Sequence, residues 1–174
     1  MIHMTSLARY RKLIAALALG SLFTISEAAP GPGDMPPPDV GHNMAGDEVL
    51  LQNYAGKAVI VTFWATWCAY CIKGLPILER VQVKAGKDQM AVIAVNTEDA
   101  DVFRRATRIM RTSMQMELVS DANGNAQKSF GVHGIPHMVI IGRDGRILKV
   151  YRGYSEKSLD AIVADINLAL APLP

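Results

Sequence analysis

Cysteine is scarce in this chain: 174 residues hold two, Cys68 and Cys71. The ring they could close is four residues long. It would constrain the unfolded chain little, because the entropic gain grows with loop length, so a structural staple is a poor explanation. Long apolar runs are also missing. Leu13 to Ile25 is the N-terminal candidate, and its 13 residues fall short of the roughly 20 that span a bilayer. Charge bias disappears once the start of the chain is set aside. Removing Arg9, Arg11, Lys12 and Glu27 leaves 15 basic against 15 acidic residues, so nothing favours nucleic acid or an anionic membrane surface. Arg104, Arg105, Arg108 and Arg111 cluster as the solvated face of one helix would. No internal repeat is visible.

What is present begins with an export signal. Residues 1–28 read as a secretory signal peptide: a basic n-region, the apolar run, and Ser26-Glu27-Ala28 with small residues at −3 and −1. An uncleaved N-terminal anchor is the runner-up. No cysteine follows the apolar run, so a lipid anchor is not expected. Export permits disulfides. Residues 29–39 (APGPGDMPPPD) read as a Pro/Gly-rich linker, mobile and without a packing pattern. Residues 40–174 are long enough for one domain with its own core.

Within that domain strands and helices alternate. Glu48–Gln52 is a short strand candidate. Ala58–Trp64 (AVIVTFW) and Met90–Asn96 are continuous apolar runs, as expected of strands buried on both faces. Helices are expected over 71–85, with Pro76 inside, and over 97–112, with Val102, Ala106, Ile109 and Met110 on the buried face. A short helix over 126–130 precedes a hairpin, 138–142 and 146–151, turned by Arg143-Asp144-Gly145. A last helix over 158–171 turns Leu159, Ile162, Val163 and Ile166 inward. The order is that of an α/β protein with parallel strands and an antiparallel hairpin.

Trp67-Cys68-Ala69-Tyr70-Cys71 follows the first buried strand directly. If Cys68 opens a helix, Cys71 lies one turn later on the same face, about 5–6 Å away, which suits a disulfide. The pair can close and open with little backbone movement, as a redox-active dithiol must.

These residues resemble the thioredoxin fold, and most closely the exported TlpA/ResA-like thiol-disulfide oxidoreductases. The resemblance runs over roughly residues 40–172. It is carried by Gly56-Lys57, Phe63-Trp64-Ala65-Thr66-Trp67-Cys68, Cys71, Pro76, Val95-Asn96, Asp121 with Gly124, Phe130-Gly131-Val132, Gly134-Ile135-Pro136 and Asp144-Gly145. It implies a central mixed β-sheet flanked by helices, with an N-terminal extension of the TlpA/ResA type. It implies Cys68 as attacking thiol, Cys71 as resolving thiol, and a cis bond before Pro136. Trp67, Tyr70, Ile135, Pro136 and His137 become the implied substrate contacts. No cofactor or metal is implied. The implied partners are cysteine-containing exported proteins, with a membrane thiol-disulfide electron donor, and the favoured direction is reduction. The alternatives are a disulfide oxidase or isomerase, or a copper- or zinc-handling protein.

Three departures stand out. The resemblance leads one to expect a buried carboxylate at position 62 or 74, and Thr62 and Gly74 stand there; Glu79 and Lys73 are weak substitutes. The dipeptide between the cysteines is Ala69-Tyr70, with no proline. His133 and His137 flank Pro136, and are read as loop histidines, as thiolate-stabilising charges, or as metal ligands.

Overall fold

The computed structural model describes residues 28–172. The expected signal peptide, but for Ala28, lies outside the described residues. Seven strands form one sheet: β1 (Asp39–Asn43), β2 (Glu48–Leu50), β3 (Ala58–Trp64), β4 (Met90–Asn96), β5 (Glu117–Ser120), β6 (His137–Ile141) and β7 (Ile147–Arg152). Four α-helices accompany them: α1 (Ala69–Ala85), α2 (Ala100–Met110), α3 (Asn125–Ser129) and α4 (Leu159–Ala169). The strand order is β2-β1-β5-β4-β3-β6-β7. β3, β4 and β5 are parallel, while β1, β2, β6 and β7 pair antiparallel with their neighbours. This is the expected mixed sheet flanked by helices.

β3 and β4 occupy the bounds their apolar runs dictate, and every residue of both is buried. Alternation of side chains divides the core in two. Ile60, Trp64, Val92, Ala94, Met138 and Ile140 face α1, α2 and α4. Val59, Val61, Phe63, Ile93, Val95 and Val139 face α3 and the N-terminal strands. Cys68 and Cys71 belong to the first of these layers.

Four features differ from the sequence reading. β1 and β5 pair with each other and extend the sheet where no strand is expected. α2 buries Phe103 and Thr107 most deeply, with the expected Ala106 and Met110 packed against the same core and Val102 half-buried, but Ile109 is 75% exposed. In α4 Val163 is likewise exposed, and Ile162, Ile166 and Ala169 are the buried residues. The segment 29–39 is docked. Gly33 N–H donates to the Ile147 carbonyl at 2.8 Å, and Ile147 N–H to the Asp34 carbonyl at 2.9 Å, so the segment pairs with the free edge of β7. Arg146 Nη1 also donates to the Gly33 carbonyl at 2.8 Å. Backbone pairing needs no apolar pattern, which is why the sequence does not announce it.

Candidate active site

The site is built where β3 runs out. Its last residue, Trp64, is fully buried, and its carbonyl accepts from Thr97 N–H at 3.0 Å. Cys68 N–H then donates to the Ala65 carbonyl at 3.1 Å, a turn that carries the chain into α1. Cys68 is the residue before the first helical position and keeps extended backbone angles. Its sulfur accepts from Cys71 N–H at 3.2 Å, so it caps the helix through the group that would do the chemistry.

Cys68 and Cys71 are joined by a disulfide, with Cα atoms 5.2 Å apart. Their exposure differs in a useful way. Cys68 retains 7% of its surface and Cys71 retains 1%. Cys68 sits at the positive end of a 17-residue helix dipole, whose first turn holds no acidic residue. Unpaired N–H groups and that dipole lower a thiol's pKa and favour its thiolate.

β6 runs antiparallel to β3, and Phe63 stands opposite His137. The chain entering β6 therefore meets the same end of the sheet as the chain leaving β3. That entering chain is Ile135-Pro136, whose peptide bond is cis. Ile135 is half-buried and packs against the core layer that contains both cysteines. Trp67 and Tyr70 flank the cysteines and project outward, 71% and 57% exposed. Cysteine pair, proline loop and aromatic side chains thus share one end of the sheet.

His137 is not part of that surface. It is 1% exposed, on the opposite face of the sheet, with its ring edge-on to Phe63 at a centroid distance of 5.8 Å. Its Nε2 is buried without a partner. Burial, then the Arg152 and His133 charges, lowers its pKa to about 4, so it is a neutral core side chain at physiological pH. The expectation that His137 contacts substrate is corrected accordingly. Strand alternation sends a residue next to an exposed loop into the core. His133 is exposed. Among the described residues no group of three or more His, Cys, Asp or Glu could hold a metal ion.

Glu79 is buried, and both its oxygens are engaged, by Gln115 N–H at 2.9 Å and Met116 N–H at 3.0 Å. It ties α1 to the approach of β5 and is not free to serve Cys71. Lys73 is exposed. A residue that the sequence did not flag braces the site instead. Glu98 accepts from Thr66 N–H at 2.6 Å, from Thr66 Oγ1 at 2.8 Å and from Asn96 Nδ2 at 3.2 Å. Thr66 lies two residues before Cys68, while Glu98 follows β4; no local pattern links them.

A redox-closable dithiol at a helix N-terminus, at the end of a central strand beside a proline loop, defines a thioredoxin-like thiol-disulfide exchange site. The redoxin family model matches residues 32–166, and the chain belongs to that family. It is 27% identical over 149 residues to the thiol-disulfide oxidoreductase ResA of Geobacillus thermodenitrificans, covering 83% of this chain and 84% of that protein. It is 25% identical over 115 residues to ResA of Bacillus thuringiensis subsp. konkukian. That match spans 66% of the relative's length, just under two thirds. The crystal structure of a thiol:disulfide interchange protein of DsbE type from Chlorobium tepidum superposes with a TM-score of 0.73 at 26% identity. It covers 82% of this chain and 100% of that one. The chain thus has the thioredoxin-like fold of the redoxin family and is similar to thiol-disulfide oxidoreductases of the ResA type.

Proposed function

We propose that this chain is an exported protein that reduces disulfides in cysteine-containing exported proteins. One observation carries the reading: a Cys68–Cys71 disulfide in which Cys68 caps the helix at the surface and Cys71 is buried beneath it. The roles follow from that asymmetry. In the reduced protein the Cys68 thiolate attacks a substrate disulfide, forming a mixed disulfide and releasing one substrate thiolate. Cys71 then attacks the Cys68 sulfur. The second substrate thiol leaves reduced, and Cys68–Cys71 is left oxidised. A thiol-disulfide donor at the membrane returns the two electrons.

Trp67, Tyr70 and Ile135 supply the docking surface, while Pro136, expected among the substrate contacts, is itself buried. The aromatic side chains offer apolar area, and the backbone at Ile135 offers hydrogen-bonding groups to an extended peptide. The export signal in the first 28 residues and the kinship with ResA support a location outside the cytoplasm. The reducing direction is what the resemblance to the TlpA/ResA-like group implies.

Insulin-disulfide reduction with dithiothreitol as electron source tests the reading. The wild-type domain should accelerate it, Cys68→Ser should abolish the acceleration, and Cys71→Ser should accumulate mixed disulfides on Cys68. Acceleration that survives Cys68→Ser would overturn the assignment.

A further inference from the structure

A cleft of about 1090 Å³ opens between the N-terminal segment and α3. It exceeds the roughly 300–1,000 Å³ of a small-molecule pocket, so it is sized for a segment of chain. One wall belongs to residues 28–38, which the backbone pairing of Gly33 and Asp34 with Ile147 holds in place. The other wall is α3, which presents Asn125, Lys128 and Ser129, all exposed. The two walls meet at Gly131, whose φ is +64° and where a Cβ would run into Ala29.

The cleft runs into the exchange site. His133 lines it and lies two residues before Ile135. His133 and Gly134 are exposed and Ile135 is half-buried, and the backbone of all three forms no hydrogen bond among the described residues. Consecutive free N–H and C=O groups are where an extended peptide pairs. A strand paired at Ile135 therefore stands at the mouth of the cleft two residues later.

We propose that this cleft is a second docking site for the client protein, taking the extended segment that flanks the client's cysteine and preferring one with acidic side chains. The proposal rests on the exchange reaction proposed above and deepens it by naming what a client carries beside its disulfide. Charge sets the preference. Lys128 is exposed on the α3 wall and has no ion-pair partner among the described residues. Asp34 is the one carboxylate in the lining, and its Oδ2 accepts from Gly31 N–H at 2.9 Å within the strap's own turn. Pro30, Pro36, Pro37 and Pro38 have no N–H, so their wall offers apolar surface, and backbone pairing is confined to the side of residues 133–135.

The two surfaces divide the work. Trp67 and Tyr70 meet the disulfide, and the cleft reads the sequence beside it. Residues 29–174 balance 15 basic against 15 acidic side chains, so the preference belongs to this wall and not to the net charge. An attraction of this kind is screened by salt.

Peptide probes mixed with the reduced protein test the proposal. Each probe is an unstructured peptide with a single cysteine held as a mixed disulfide with thionitrobenzoate, and glutamate, glutamine or lysine residues flank it on both sides. Cys68 attack on the peptide sulfur releases thionitrobenzoate, whose absorbance gives the second-order rate constant. The wild type should react with the glutamate peptide about threefold or more faster than with the lysine peptide at low salt, and the gap should close at high salt. Lys128→Gln should shrink the preference, and Lys128→Glu should reverse it. Ser129→Trp, which fills the cleft from an exposed position, should slow all the peptides while leaving the rate with dithiobis(nitrobenzoate) unchanged. Equal rates for the glutamate and lysine peptides, or a preference that survives Lys128→Glu, would overturn the proposal. So would peptide rates unchanged in Ser129→Trp, the signature of steering without occupancy. A wild-type protein no faster than glutathione with any of these disulfides would overturn the exchange reading, and the cleft proposal with it.

Discussion

Glu98 holds Thr66 by two hydrogen bonds, one to its backbone N–H and one to its hydroxyl, at 2.6 and 2.8 Å. The contact joins the end of β4 to the loop that delivers Cys68. It ties the loop to the end of β4 through Thr66 and Asn96. Positioning of this kind matters because Cys68 must meet both a substrate disulfide and Cys71 along the sulfur–sulfur axis.

Removing that brace should loosen the loop. Glu98→Ala is expected to cost about 1.5–3 kcal/mol of stability, the range for a hydrogen bond to a charged group. It should also slow insulin reduction, while Glu98→Gln, which retains an acceptor, should lose less of both. Urea unfolding and the insulin assay check the two halves. Identical behaviour of Ala and Gln variants to wild type would remove Glu98 from the site.

Glu79 separates stability from chemistry. Glu79→Ala leaves the Gln115 and Met116 N–H groups without their acceptor, at a cost of about 1–3 kcal/mol for the buried Met116 donor and less for the part-buried Gln115 donor, which water can reach. Resolution by Cys71 should proceed at the wild-type rate in the folded fraction. Mixed disulfides that persist on Cys68 in folded Glu79→Ala, as in Cys71→Ser, would instead give this carboxylate a part in the resolving step.

His137 gives the fold a defined acid response. Its pKa falls from 6.5 unfolded to about 4 folded, so the unfolded chain binds the proton more readily. The stability from this site is fully present above pH 6.5 and is lost as pH falls from there toward about 4. The steepest loss is about 1.4 kcal/mol per pH unit. Urea midpoints between pH 7 and 4 should fall in the wild type and flatten in His137→Phe.

Gly41 should not tolerate a side chain. Its φ is +111°, and a Cβ there would run into the Ser120 carbonyl of the paired strand β5. Gly41→Ala is expected to cost more than about 2 kcal/mol, combining backbone strain with a lost strand contact. Thermal unfolding measures it directly.

Gly41 also marks where the sequence stops being informative. β3 and β4 are legible because seven consecutive apolar residues leave no alternative to a doubly buried strand. β1, with Asp, Gly, His and Asn among its five residues, and the four-residue β5 carry no such pattern and form through each other. In the site, Cys68 and Cys71 announce themselves by spacing. Glu98 does not, since it acts across 32 residues. His137 shows the opposite failure: adjacency to Pro136 suggests a surface role, and strand alternation buries it.

The equilibrium reduction potential of the Cys68–Cys71 pair, measured in the isolated domain against thiol-disulfide buffers, tests the central claim most directly. A reducing exchange protein should lie nearer the thioredoxin end, about −270 mV, than the strongly oxidising end, about −120 mV. A value near −120 mV would contradict the account and make the chain an oxidant of its substrates.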